Sequence, residues 1–174
     1  MTNISEISEF ELIKRLEKVL EDCSLPDAAN GLRTSIGDDA AVIESPGKTQ
    51  VVTTDTMVEG VHFTRETIPW RDLGWKAIVA NLSDIAAMGG APLYALVTIG
   101  MNHNEELENV EQVYLGMIEA CNRFQLRIIG GDIVRSPTTF ITVGLTGRHH
   151  ALPMTRTAAI PGDLIAVTGY LGSS

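Results

Sequence analysis

Aspartate recurs in four short settings along the chain: Gly37-Asp38-Asp39, Thr53-Thr54-Asp55-Thr56, Asn81-Leu82-Ser83-Asp84 and Gly130-Gly131-Asp132. Each lies at the edge of an apolar run, and no stretch of Lys or Arg flanks any of them. A carboxylate in such surroundings is costly unless a positive group meets it. A divalent cation held by Asp39, Asp55, Asp84 and Asp132, and bridging to a phosphorylated ligand, would meet that need. Thr53 and Thr54 could add hydroxyl or carbonyl oxygens. Each setting has a plainer reading as well: Gly-Asp is common in turns, and a strand-end Asp often only caps the chain. Asp84 differs, because it falls inside a helical run of small and apolar residues, with Asn81 on the same face at spacing three.

The elements that must position these groups are legible from periodicity. Ser8-Glu9-Phe10-Glu11 is a capping-box pattern, after which Phe10, Ile13, Leu16 and Leu20 recur at helical spacing. Residues 39–44 and 50–55 read as the two strands of a hairpin around Ser45-Pro46-Gly47-Lys48. Pro69 suits the first turn of a helix that runs from about Asp72 to Gly89-Gly90, with Ile78, Leu82 and Ile85 on one stripe. Residues 93–101 read as a strand. Residues 105–125 form the clearest helix, with acids in the first turn and Val110, Val113, Met117, Cys121 and Phe124 inward. Strands over 127–131 and 139–148 follow.

After Arg148 the texture changes. His149 and His150 read as loop residues, residues 163–168 as a fresh strand, and the glycine-rich end as a turn. The expected organisation is an N-terminal domain over 1–148, then a linker and the first strand of a second domain, cut short, over 149–174.

The chain has 174 residues, 44% of them hydrophobic but only 5% aromatic, so its core rests on aliphatic side chains. Its 13 basic and 22 acidic residues give a net charge of -9, which argues against nucleic acid as a partner. It does not argue against nucleotides, since Mg²⁺ reverses the local field of an acidic site. Cys23 and Cys121 form no metal spacing and no disulfide framework. No apolar run approaches a membrane span, and the acidic, helical start is no signal peptide, so a cytoplasmic protein is expected.

Familiar phosphate motifs are missing. Gly47-Lys48-Thr49 imitates the end of a P-loop, but the earlier glycine it needs would be Val42. No Gly-x-Gly-x-x-Gly occurs, and Asp55 lacks the second Asp of an aspartyl-nucleophile phosphatase. His62 could contact a ligand, Tyr114 lies beside the core stripe of its helix, and Arg156 is an isolated loop cation.

In this order and spacing the segments resemble the thiamine-monophosphate kinase family, within the ATP-binding superfamily of aminoimidazole ribonucleotide synthetase and selenophosphate synthetase. The matching runs are Ile36–Ala41, Thr53–Phe63, Lys76–Gly89 and Ile129–Asp132, with Arg156 and Pro161-Gly162-Asp163 further on. Each motif is modest alone; four in register are specific. The resemblance implies an α/β (α+β) fold: a mixed sheet with helices on one face, pairing with its twin into a barrel-like dimer, followed by a second α/β domain. It implies ATP-dependent phosphorylation of thiamine monophosphate by direct in-line transfer, needing no general base. Asp39, Thr53, Thr54, Asp55, Asp84 and Asp132 would hold several Mg²⁺ ions, His62 would face thiamine monophosphate, and Tyr114, Gly131, Asp132 and Arg156 would face ATP. Family members are about twice as long, so a non-catalytic dimerising module that binds metal and nucleotide is the alternative for the chain itself. Sister synthetases fit less well: the Cys and Lys of a selenophosphate synthetase lie in a glycine-rich segment, and Glu21-Asp22-Cys23-Ser24-Leu25-Pro26 has no glycine.

Overall fold

Alternation of apolar and small or polar residues along one segment organises the domain. The computed structural model describes residues 6–20, 32–34, 42–43, 49–149, 159–167 and 169. In chain order they form α1 (Glu9–Leu20), β1 (Leu32–Thr34), β2 (Val42–Ile43), β3 (Thr49–Val58), α2 (Trp70–Ala87), β4 (Ala91–Met101), α3 (Leu107–Phe124), β5 (Arg127–Arg135) and β6 (Phe140–His149). Strand β6 buries Ile141, Val143 and Leu145 on one face and lies inside a sheet of order β3-β6-β4-β5. It runs antiparallel to both β3 and β4. Strands β4 and β5 are parallel, which is why a helix, α3, connects them.

Helices α2 and α3 cover one face of this sheet, where Val97, Ile99, Ile141, Val143 and Leu145 are fully buried. The other face is open: Val52 is 68% and Leu96 50% exposed. The fold is thus the mixed α/β sheet, helices to one side, that the sequence implied. The two helices approach backbone to backbone. A Cβ on Gly74 would overlap the Val113 carbonyl oxygen, and one on Gly116 the Arg71 carbonyl oxygen. Arg71 Nε then donates to Glu119 Oε1 at 3.1 Å across the contact, and Trp75 meets Phe124 at a centroid distance of 6.0 Å.

Several expectations need correction. Of the expected hairpin, Val42–Ile43 pair as β2 with β1 and β3 pairs over ten residues with β6; residues 39–41 and 44–48 are outside the described residues. The long alternating β6 offers β3 a full ladder that a local turn cannot match. The capping box of α1 is present, with Ser8 N donating to Glu11 Oε2 at 3.1 Å and Glu11 N to Ser8 Oγ at 3.3 Å. Its buried stripe, however, is Leu12, Leu16 and Leu20, while Phe10 is 78% exposed. Phe10 sits two residues from Leu12, about 200° around the helix axis. Strand β5 continues to Arg135, so Asp132 lies within the strand rather than in a turn after it. His149 ends β6 instead of lying in a loop; His150 is outside the described residues. Residues 163–167 form no strand, and Leu164 and Ile165 are 97% and 98% exposed, with no strand beside them among the described residues.

Candidate functional site

Two of the aspartate motifs meet at one corner of the sheet. Alternation along β3 turns Thr53, Asp55 and Met57 toward the helix-covered face, where Met57 is buried. Thr53 Oγ1 donates to Asp84 Oδ2 of α2 at 2.7 Å, across 31 positions of sequence. Asp55 follows two residues further along the same face. Thr54 points to the other side, which leaves only its main-chain oxygen for this corner. Both Asp55 and Asp84 are exposed, so burial does not force a counter-charge on them. Among the described residues neither forms an ion pair with Lys or Arg.

The donor set suits a hard cation: a threonine hydroxyl and two carboxylates, with no sulfur or nitrogen ligand. One helical turn before Asp84, the side chain of Asn81 is buried. Its Nδ2 donates to Ala77 O at 3.0 Å, but among the described residues its Oδ1 meets no donor. An acceptor in that state carries an unmet demand for positive charge. The corner alone does not complete a site, since such ions take roughly six to eight oxygens. Among the described residues no three His, Cys, Asp or Glu side chains lie close enough to hold a metal ion. Asp39 and Arg156 are outside the described residues.

Asp132 lies elsewhere. Thr56, Thr142, Thr98 and Asp132 stand in register as one row across the open face, with Thr56 and Thr142 hydroxyls 2.8 Å apart. Because β3 and β5 are the two edges of the sheet, three strand spacings, or about 14 Å, separate Asp132 from the Asp55 strand. Asp132 Oδ1 accepts the Ile133 amide at 2.9 Å. Gly131 is required for a reason that sequence reading missed. A Cβ there would overlap the Val97 carbonyl oxygen, so the close approach it allows is to β4 of its own sheet.

His62 sits on a tight turn after β3. Gly60, at φ +80°, reverses the chain; Gly60 N donates to Phe63 O at 2.8 Å and His62 N to Val58 O at 2.8 Å. The Val58 amide donates to His62 Nδ1 at 3.0 Å, and Lys76 Nζ of α2 donates to His62 O at 3.0 Å. Tyr114 is buried in the core beneath the sheet, and burial pushes its hydroxyl up to about 12. Cys121 is buried in the same cluster. Among the described residues no helix is long and apolar enough to cross a membrane.

The profile of the family described as AIR synthase related protein, N-terminal domain, matches residues 37–149. The chain belongs to this family. Thiamine-monophosphate kinase of Aquifex aeolicus is 37% identical over 171 residues, which is 98% of this chain and 52% of that protein. The enzyme of the same name from Rhodopirellula baltica is 41% identical over 86% of this chain and 49% of its own length. A solved structure, AaThiL complexed with AMPPCP and TMP, is 35% identical with a TM-score of 0.60, over 87% of this chain and 45% of that one. The resemblance read from the four motifs is therefore borne out, and the chain spans about half the length of the curated relatives it matches.

Within this AIR synthase related domain, one cluster went unread in the sequence. Arg65 Nε donates to Glu59 Oε1 at 2.6 Å and Arg65 Nη2 to Thr139 Oγ1 at 3.0 Å. Arg65 Nη1 pairs with Glu105 Oε2 at 2.9 Å, and the guanidinium stacks 5.0 Å from the Trp70 ring centroid. No spacing signals such a cluster, because its members come from four separate segments. The Arg65 hydrogen bond holds the Glu59 carboxyl below its ordinary range, against a smaller upward push from burial. A depressed carboxyl stabilises the fold above its unfolded value and loses that stabilisation as pH falls through its folded one. Glu59→Gln is therefore expected to cost on the order of 1 kcal/mol near neutrality. Urea titration of both proteins from about pH 7 to about pH 3 should show the gap closing at the acid end; a gap that stays constant contradicts the assignment.

Proposed function

We propose that this chain is the nucleotide- and metal-binding half of a kinase that transfers the γ-phosphoryl group of ATP to thiamine monophosphate. The observation that carries the reading is the Thr53–Asp84 hydrogen bond, which joins two separately spaced motifs in a chain 37% identical to a thiamine-monophosphate kinase over nearly its whole length. The AMPPCP and TMP of the solved relative support the same pair of ligands.

In this reading Thr53, the Thr54 main chain, Asp55, Asp84 and Asp39 hold Mg²⁺, and Gly131, Asp132 and Arg156 face ATP. Tyr114 supports the sheet from the core. Bound Mg²⁺ supplies charge neutralisation between the two phosphate chains. Thr53 fixes the Asp84 carboxylate by donating to it. With Nδ1 accepting from Val58, neutral His62 carries its proton on Nε2 and offers it to an acceptor oxygen. That oxygen is already ionised near neutrality, so no general base is required. Residues 149–174 would lead into a second domain, and the setting would be cytoplasmic. The open sheet face, with Val52 and Leu96 exposed, would pair with a second copy; sedimentation of Leu96→Asp should show a lower mass than the parent chain, and equal masses would refute the pairing.

Asp84→Asn tests the proposal. In this chain it should weaken Mg²⁺-dependent AMPPCP binding about tenfold or more by calorimetry, with an unchanged circular dichroism spectrum. In protein extended to its relatives' length it should cut thiamine diphosphate formation about 100-fold or more. A variant that binds and turns over like the parent at saturating Mg²⁺ contradicts it.

A further inference from the structure

The turn that carries His62 is already closed by its own main-chain bonds. What those bonds do not determine is where the turn sits relative to the sheet and helices. Arg65 does that. One guanidinium engages Glu59 within the turn, Glu105 at the entrance to α3, Thr139 at the entrance to β6 and the ring of Trp70, which opens α2. Glu105 is held in turn: its side chain is only 6% exposed, and Asn109 Nδ2 donates to its Oε1 at 2.7 Å. Glu59 adds two bonds to the same place, with Thr139 N donating to Glu59 Oε2 at 3.3 Å and Glu59 N donating to Thr139 O at 2.9 Å. Three elements thus converge on one side chain that touches no part of the carboxylate corner.

The far side of the turn is pinned by Lys76 to the His62 carbonyl. Between these two anchors, the Val58 amide meets His62 Nδ1 at 3.0 Å. An amide can only donate, so Nδ1 must accept and the ring proton must sit on Nε2. The imidazole is exposed, so this N–H is available to a ligand oxygen.

We propose that Arg65 is a positioning residue: it locks the 58–63 turn to α2, α3 and β6 so that His62 is held as the Nε2–H tautomer, a fixed hydrogen-bond donor to the phosphate oxygens of the acceptor. The ligand half of this inference rests on the thiamine monophosphate reading above; the tautomer half does not. Lysine cannot replace Arg65, because an ammonium lacks the planar fork that reaches a carboxylate, a second carboxylate and a hydroxyl together.

Two readouts on the 174-residue chain separate the halves. The nitrogen-15 spectrum of the His62 ring should show a single Nε2–H form in the parent and a mixture of tautomers in Arg65→Ala and Arg65→Lys. Calorimetry with thiamine monophosphate should then show about tenfold weaker binding for Arg65→Ala and an intermediate loss for Arg65→Lys, while AMPPCP binding with Mg²⁺ changes less than about twofold. If Arg65→Ala fails to fold, Arg65→Lys carries both readouts. An unchanged ring spectrum overturns the positioning role. A changed spectrum with unchanged thiamine monophosphate affinity overturns the link to acceptor binding. A parent chain that binds AMPPCP but no thiamine monophosphate overturns the substrate reading for this chain, and the ring spectrum alone then decides the role of Arg65.

Discussion

A single hydrogen bond between a strand and a helix, Thr53 to Asp84, is the contact on which the candidate site depends. It joins Asp84, in the last turn of α2, to β3, while α3 packs against α2 from another side. That second contact is close enough to exclude any Cβ at Gly74 and Gly116. The register of β3 on β6 then decides which threonine faces the helix. A slip of one residue would turn Thr54 inward and Thr53 outward, and would carry Asp55 to the open face with it.

The sheet divides the acids between two places. Asp55 and Asp84 gather at the β3 edge, while Asp132 ends a row of threonines on the open face at the β5 edge. Exposure of Asp55 and Asp84 changes the reason for invoking a cation. They do not need one to survive folding; in the proposed reading they would recruit one, since among the described residues neither carboxylate meets a Lys or Arg and the Thr53 hydroxyl already donates to that of Asp84. In that reading the site would stay open until ligand and metal fill it, with phosphate groups supplying oxygens to the same ion. The Arg65 cluster has the opposite character: its guanidinium is paired with both Glu59 and Glu105 and with the Thr139 hydroxyl.

How far this was legible in the sequence depended on range. The capping box at Ser8, the stripes of α2 and α3 and the alternation of β6 are local signals, and the structure follows them. The partner of β3 was misread because nothing local says that residues 49–58 prefer a strand 90 positions away to one that precedes them. Phe10 was misassigned because the apolar spacing of α1 offers two overlapping stripes, and only packing against α3 selects Leu12, Leu16 and Leu20. Asp55 and Asp84 were singled out by residue type and sequence context; the structure joins Asp84 to Thr53 and leaves both carboxylates exposed. Arg65, Glu105 and Thr139 carried no such signal: an Arg among surface residues is ordinary, and the cluster exists only once four segments meet. The closeness of Gly131 to the Val97 carbonyl of the neighbouring strand is likewise a tertiary contact with no local signal.

Paramagnetic broadening by Mn²⁺, standing in for Mg²⁺ in the presence of AMPPCP, most directly tests whether the Thr53–Asp84 corner holds a divalent cation. Backbone amide signals of Thr53, Thr54, Asp55, Ser83, Asp84 and Ile85 should broaden first as Mn²⁺ is added, at amounts that leave the acidic surface of α3 untouched. Broadening that begins elsewhere, or that spreads evenly over the acidic surface while these signals stay sharp, would contradict the account.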